Sequence, residues 1–261
     1  MTAAVATRRK AAPRWEATLG RMFARDVTHM TRVLVAELVP SLEDLADTCA
    51  AEYLSRVDEH GNVKALTDVL ERLVNSILAA VSFSRWADQH LKARLDRHYR
   101  RVGRRTVETL NTALDLDMLL TEASMNKLGQ VGATRRHLIG VETDARRALQ
   151  RAIADGTDAG DNPLTVAQRI RDEIPKGRYV NAGAKYRAQL IARTETLTAQ
   201  RIASLDAYED SPVVGGAKAL DGDSDEACAA RNGQVFTIEA ARREEEHPNG
   251  TLTWLPALIS P

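Results

Sequence analysis

This sequence of 261 residues has only two cysteines, few aromatic residues and no long apolar run. Cys49 and Cys228 are too few for a framework of several disulfides, so they indicate a reducing compartment. The N-terminus is basic but lacks the apolar core of a signal peptide. No segment approaches the roughly 18 uninterrupted apolar residues of a membrane-spanning helix. We therefore expect a protein that folds in a cytoplasm and does not engage a membrane.

Sequence signatures of common enzymes are missing as well. There is no glycine-rich dinucleotide fingerprint, phosphate-binding loop, zinc-protease motif or serine-hydrolase elbow. The six histidines are scattered, and no pair of them stands at zinc-ligand spacing beside a pair of cysteines. We therefore expect no catalytic site, no cofactor, no metal and no small-molecule substrate.

One acidic segment resembles the start of a calcium-binding loop. It runs from Asp221 to Glu226, but Glu226 stands where such loops need glycine. The twelfth position is Asn232, where the loop needs a bidentate glutamate. The segment is better interpreted as an acidic turn before the short helix that carries Cys228.

The composition itself favours helices. Apolar residues make up 44% of the chain and charged residues 28%, which is typical of a folded domain. Alanine, leucine, arginine and glutamate are abundant, and all four lose little side-chain freedom in a helix. Apolar positions recur at helical spacing through residues 1–155, which predicts a helical N-terminal region. Pro40 is expected to end the first helix, Ser41 to begin the next, and a break is expected near Ser82 or Ser84.

The pattern changes in residues 156–261, which we predict to form a second, smaller α+β module. A linker at 156–163 precedes two helices, and three short strands are expected at 213–220, 234–237 and 252–255. Pro256 should end the last strand, and Asn232-Gly233 has the composition of a hairpin turn. The predicted fold class is therefore mainly α, with a short sheet near the C-terminus.

Two charged residues lie beside apolar positions on the long helix predicted to begin at 183. Arg193 has Leu190 and Leu197 next to it, and Glu195 is one to two turns from Ile191 and Ile202. Half-buried charges need partners, so we expect both to hold loops of the 210–250 region. An arginine–glutamate active site is the alternative interpretation.

Three motifs follow one another in the second half of the chain. They are Arg187-Ala-Gln-Leu-Ile-Ala-Arg-Thr-Glu-Thr196, then Asp223-Ser-Asp-Glu-Ala-Cys228 with Asn232-Gly233, then His247-Pro-Asn249. In this order and spacing the set resembles the head-morphogenesis family of tailed bacteriophages, which includes the F protein of phage Mu. The resemblance covers about residues 120–261.

This resemblance implies a minor head protein that acts in head assembly and DNA delivery and binds the portal or other head proteins. It implies a place in the host cytoplasm during assembly and then in the virion, in the capsid interior or at the portal vertex. Family positions with a motif or structural role map onto Arg187, Arg193, Thr194, Glu195, Asp223, Cys228, Asn232, Gly233, His247, Pro248 and Asn249.

The sequence departs from the family at its cysteines. Relatives often have a second cysteine three residues after the first and a Cys-x-Cys after the His-Pro pair. Here Arg231, Gly250 and Leu252 occupy those places. Cys228 and His247 alone give too few ligands for a structural zinc, so no metal is carried over from such relatives.

A basic stripe lies on the helix predicted around residue 100. Arg94, Arg97, Arg101 and Arg104 share one helical line. A solvated helix face is the simpler interpretation, and contact with packaged DNA or an acidic partner is the other. No interleaved aromatic residues suggest base stacking.

Three hypotheses follow. The first is a phage structural protein that binds the portal through an amphipathic helix anchored by Trp15, Leu19, Met22 and Phe23. The second is a sequence-independent nucleic-acid-binding protein that uses the basic helix. The third is a cryptic hydrolase or toxin. The motif set favours the first, because function is decided by sites and no catalytic site is recognisable.

Overall fold

A computed structural model describes residues 14–57, 67–134, 137–178, 183–222, 226–244, 246 and 250–259, with only the backbone described at 67–69 and 137–139. It is mainly helical, with one three-stranded antiparallel sheet formed by residues of the C-terminal part. The predicted fold class is confirmed. The helices are α1 (Arg14–Leu54), α2 (Thr67–Val81), α3 (Phe83–Ala87), α4 (Ala93–Leu114), α5 (Glu122–Ala133), α6 (His137–Asp158), α7 (Pro163–Glu173), α8 (Gly183–Glu209), α9 (Glu226–Arg231) and α10 (Ile238–Arg243).

The first helix does not end at Pro40, so that expectation was wrong. α1 continues through Pro40 to Leu54. Leu34, Leu38 and Leu42 keep one buried stripe in register across the proline. The proline ring is exposed, on the side of the helix where solvent can satisfy the freed carbonyl. Burial of the continuous stripe therefore outweighs a local cost of about 3 kcal/mol.

The predicted break near Ser82 is confirmed. Ser82 has a left-handed backbone, with φ of 48°, and separates α2 from α3. From α3 the chain passes through a π-helical turn at Asp88–Lys92 directly into α4. The π turn changes the helical phase by about one residue, so that the buried positions of α3 and α4 can each face their own neighbours.

Glycines allow α5 to lie very close to α4. A Cβ on Gly132 would be 2.7 Å from Cδ2 of Tyr99, and one on Gly103 would meet the Leu128 side chain. Gly132 therefore occurs inside a helix for a packing reason, although it lowers intrinsic helix stability.

The sheet has the strand order β2-β1-β3, with β1 at Val214–Leu220, β2 at Val235–Phe236 and β3 at Thr253–Leu258. Two local expectations were wrong here. β3 runs through Pro256, which an edge strand tolerates because one row of its backbone groups is not needed for pairing. Asn232-Gly233 does not form a hairpin turn, since Gly233, with φ of 83°, ends α9 instead.

Two large hydrophobic clusters hold the elements together. One packs the C-terminal half of α1 against α2, α6, α7 and the start of α8. The other packs the start of α1 and the end of α4 against the end of α8 and the sheet. Leu19 and Phe23 belong to this second cluster and are almost fully buried. The expectation that they anchor a partner was therefore wrong, because they already pack inside the chain.

The proposed division at residue 155 falls inside α6, which extends to Asp158, and only four residues then separate α6 from α7. Independent folding of residues 156–261 stays a prediction. Among the helices of the described residues, none combines the length and apolar character needed to cross a membrane.

Candidate functional site

The helix α8 lies at the centre of the molecule and contacts α1, α4, α5, α10 and the sheet. Glycine at 183 begins it, and apolar or small residues follow on nearly every face, as expected of a helix surrounded by other elements. The first resemblance motif, Arg187 to Thr196, forms its N-terminal half. Within this motif Arg187, Glu195 and Thr196 are buried, Arg193 and Thr194 are half-buried, and Gln189 is exposed.

Arg187 fixes the turn that precedes its own helix. Its guanidinium donates to the carbonyl oxygen of Ile174 at 2.9 Å and forms a 3.3 Å ion pair with Asp144. Arg187 is 1% exposed and Asp144 is 4% exposed. Gly177, with φ of 60°, lies directly over this guanidinium, and a Cβ there would be 2.7 Å from its central carbon. Arg187 thus ties the end of α7 and the middle of α6 to α8.

Glu195 has no exposed surface and accepts a 2.5 Å hydrogen bond from the Tyr99 hydroxyl. Tyr99 lies on α4, so this bond joins the two helices across the core. This bond joins Glu195 to a helix 96 positions earlier in the chain, and the expected anchoring of a 210–250 loop by Glu195 stays a prediction. Both groups gain a buried partner, which limits the desolvation cost of the carboxylate.

A second α4–α8 contact lies beside this one. His98 Nε2 is 2.9 Å from the Thr196 hydroxyl, which donates to the carbonyl of Ala192 at 2.7 Å. The histidine ring therefore donates from Nε2. Burial, and then the charge of Arg101, lower the pKa of His98 from 6.5 to about 3. His98 is thus neutral in the folded protein near neutral pH.

The other two polar residues of the motif have lesser roles. Arg193 is half-buried, and among the described residues its Nε has no hydrogen-bond partner. The expected anchoring by Arg193 is therefore not observed in the described chain. Thr194 donates to the carbonyl of Leu190 at 2.8 Å, within its own helix.

A second cluster of charges lies between β1, α9 and the segment before β3. Arg231 binds Asp221 Oδ2 with its Nη2 at 2.5 Å, Glu246 with the same atom at 2.5 Å, and Glu244 at 3.4 Å. Its side chain is 12% exposed, and those of Asp221 and Glu246 are 0% and 3%. Burial alone would lower the pKa of Arg231, but the hydrogen bond and charge of Asp221, with Glu246 and Glu244, raise it above its ordinary value.

The Cys228 thiol completes this cluster. Its sulfur and the carboxylate oxygens of Asp221 and Glu246 lie within 4.8 Å of one another. These three groups could hold a cation, and the guanidinium of Arg231 already supplies positive charge to both carboxylates. Arginine thus stands at the place where the related pattern has a thiol. The absence of a tightly bound metal stays a prediction.

Asn232 and Gly233 directly follow the C-terminal end of α9 and stabilise this cluster. The Asn232 side-chain oxygen accepts from the backbone N–H of Asp221 at 3.1 Å, and the N–H of Gly233 donates to Ala219 at 2.8 Å. Both motif residues therefore close the loop between β1 and β2. Asp223, His247, Pro248 and Asn249 lie outside the described residues.

The predicted basic stripe divides into two kinds of arginine. Arg94 donates to the carbonyl of His90 at 2.9 Å and to the Ser41 hydroxyl, and Arg101 lies 3.5 Å from Glu37. These two hold α4 to α1. Arg97 and Arg104 are exposed, and among the described residues no carboxylate pairs with either. The stripe is therefore half internal contact and half available surface.

The charged motif residues are arranged to support structure. A substrate could not reach His98, Glu195 or Arg187 in this conformation, because each is at most 1% exposed. General acid–base work requires a group within hydrogen-bond reach of a bound substrate. The His98–Thr196 pair and Asp144 were not predicted from the sequence, and Asp221 was predicted only as part of an acidic turn. The one local signal was Asp144, a carboxylate within the buried stripe of α6.

Comparisons with protein-family models, curated proteins and solved structures find no match to this chain. The likeness to head-morphogenesis proteins therefore depends on the motifs quoted above.

Proposed function

We propose that this protein is a minor head protein of a tailed bacteriophage, acting in head assembly at the portal vertex. The observation that supports this best is the position of the motif set. The segment from Arg187 to Thr196 forms the central helix, and Cys228, Asn232 and Gly233 lie on the connection between β1 and β2. These motif residues therefore hold the interior of the protein together. That is expected of a structural protein whose partners bind at other surfaces.

The proposal does not include an enzyme activity or a cofactor. Polar motif residues of the protein bind backbone or side-chain partners within the chain: Arg187 binds Asp144, Glu195 binds Tyr99 and Asn232 binds Asp221. Such positions are tuned for stability, whereas catalytic groups need access to a substrate. The hydrolase or toxin alternative gains no support from these contacts.

The partner surface must differ from the helix anchors first considered, since Leu19 and Phe23 are buried. Exposed apolar side chains occur instead on the sheet. Val213, Leu258 and Ile259 are 40–57% exposed at one end of it, and Val235, on the opposite edge strand, is 63% exposed. The Ile259 N–H donates to Val213 at 3.0 Å, so two of these residues are neighbours. Apolar exposure of this kind marks protein contacts, so this end of the sheet is where portal binding is expected.

Co-expression with the portal protein encoded next to this chain tests the proposal. We expect a complex that survives size-exclusion chromatography and that weakens when Leu258 and Ile259 are both changed to Ser. Replacing the exposed Leu164 on α7 by Ser is the matched control and should leave the complex intact. Absence of a complex with any head protein would contradict the proposal.

A further inference from the structure

The exposed arginines of α4 are continuous with a second basic row on α1. The two helices run antiparallel and are tied side by side, because Arg105 pairs with Asp26 at 3.1 Å and Arg101 with Glu37 at 3.5 Å. Arg25, His29 and Arg32 face outward on α1 next to this seam. A cleft of about 890 Å³ is lined by residues of both helices, among them Arg25, His29, Arg32 and Arg105.

We define the basic face as Arg25, His29 and Arg32 of α1 with Arg97, Arg101, Arg104 and Arg105 of α4. Its six arginines face three carboxylates, those of Asp26, Glu37 and Glu108, which leaves a net charge of 6 − 3 = +3 without counting His29. Arg32, Arg97 and Arg104 have no ion-pair partner among the described residues. Arg25 is only loosely paired, 3.9 Å from Asp26, with 67% of its side chain exposed.

From these observations we infer that the basic face binds the phosphate backbone of duplex DNA without regard to sequence. Arg25 and Arg32 are seven residues apart on α1, and Arg97 and Arg104 are seven apart on α4. Each row therefore spans about 10 Å, and the two helix axes lie about 8–10 Å apart. Four guanidinium groups at such spacings match a surface with one negative charge per about 1.7 Å of duplex axis.

The chemistry of the face favours nucleic acid over an acidic protein. Protein interfaces have a core of aromatic or other apolar side chains, whereas DNA interfaces are polar and positively charged. None of the exposed large apolar side chains of the described chain belongs to this face. Absence of aromatic groups there also argues against stacking on single strands. The face holds no Asn or Gln side chain to read base edges.

The test is binding of the full chain to two labelled DNA duplexes of unrelated sequence, measured by fluorescence anisotropy between 50 and 200 mM salt. We expect equal affinity for both duplexes and a steep loss of affinity with salt. The variant Arg32→Gln/Arg97→Gln/Arg104→Gln should reduce the slope of log K against log salt by about three units, which makes the loss over this salt range about 40-fold smaller.

The matched control is Arg147→Gln/Arg171→Gln/Arg243→Gln, which removes the same charge from α6, α7 and α10. It should keep the wild-type salt slope. If the triple variant on the face does not fold, Arg97→Gln and Arg104→Gln singly should each lower the slope by about one unit.

Absence of binding at 50 mM salt would overturn the inference, and so would equal loss of slope in the control variant. Preference for one duplex would contradict the absence of sequence readout. Competition by polyglutamate as strong as by DNA would assign the face to an acidic protein instead. The inference is independent of the proposed head function, because portal binding is assigned to residues of the sheet, none of which belongs to the basic face.

Discussion

Arg187 and Arg97 carry the same charge in opposite surroundings. Arg187 is buried on α8 and paired with Asp144 and the carbonyl of Ile174, whereas Arg97 lies on the open side of α4 with no carboxylate partner in the described chain. Removing the first would leave the buried Asp144 with the half-exposed Arg178 as its cation, and removing the second would change only the electrostatic potential at the surface. The motif that contains Arg187 therefore contributes to stability, whereas the basic stripe that contains Arg97 provides a surface that is available for binding.

The largest loss of stability is expected when the buried arginine of this pair, Arg187, is removed. Arg187→Ala should lower the free energy of unfolding by about 3–5 kcal/mol, because Asp144 and the carbonyl of Ile174 lose a buried partner. Urea unfolding followed by circular dichroism measures the change. Arg178→Ala is the control: it also removes a partner of Asp144, at 3.0 Å, but its side chain is 52% exposed. It should cost no more than about 1 kcal/mol. Equal losses in the two variants would contradict the structural role of Arg187.

A smaller loss is expected at the second buried arginine. Arg231→Ala removes the cation shared by Asp221 and Glu246, and should cost about 2–3 kcal/mol in the same measurement. Arg243→Ala, whose ion pair with Glu239 is about three-quarters exposed on both sides, should have no measurable effect. The assignment of Arg231 as the internal cation fails if its variant unfolds at the wild-type urea concentration.

The smallest effect concerns two histidines rather than two arginines. His98 has a lowered pKa of about 3 in the folded chain because of burial, so it binds a proton only after unfolding when the pH falls below about 6.5. The stability that its neutral form contributes is therefore fully present above about pH 6.5. It is lost progressively as the pH falls towards 3. From pH 7 to pH 5 this amounts to about 2 kcal/mol.

This difference is measured by comparing wild type with His98→Gln in urea unfolding at pH 7 and pH 5. The wild type should lose about 2 kcal/mol more than the variant over this interval. His29→Gln is the control, because it removes an exposed histidine rather than a buried one. The same pH dependence in wild type and His98→Gln would show that His98 is accessible to protons in the folded chain.

Local patterns in the sequence were enough for much of the fold. The prediction of a helix from 183 to 208 nearly coincides with α8, since turn residues flank a single run of helix-forming residues. β1 was predicted within one residue for a similar reason. The predicted end of the first helix at Pro40 was wrong, because it considered only the local cost of a proline. The buried leucine stripe on both sides of Pro40 stabilises the continuous helix.

The candidate site was harder to predict than the fold. Burial of Glu195 followed from its apolar neighbours on the helix, but its partner did not. Tyr99 is 96 positions away, and the contact depends on how α4 and α8 pack. Asp221 and Glu246 likewise lie 10 and 15 positions from Arg231. Such long-range pairs have no local signature, so helical periodicity cannot reveal them.

Quantitative mass spectrometry of purified virions tests the central claim most directly. The particles would come from a phage that encodes this chain, and a copy number would be obtained relative to the portal protein. A minor head protein should be present in every preparation, far below the major capsid protein, and should be lost with the portal in portal-deficient heads. Absence of the chain from intact virions and from assembling heads would contradict the account.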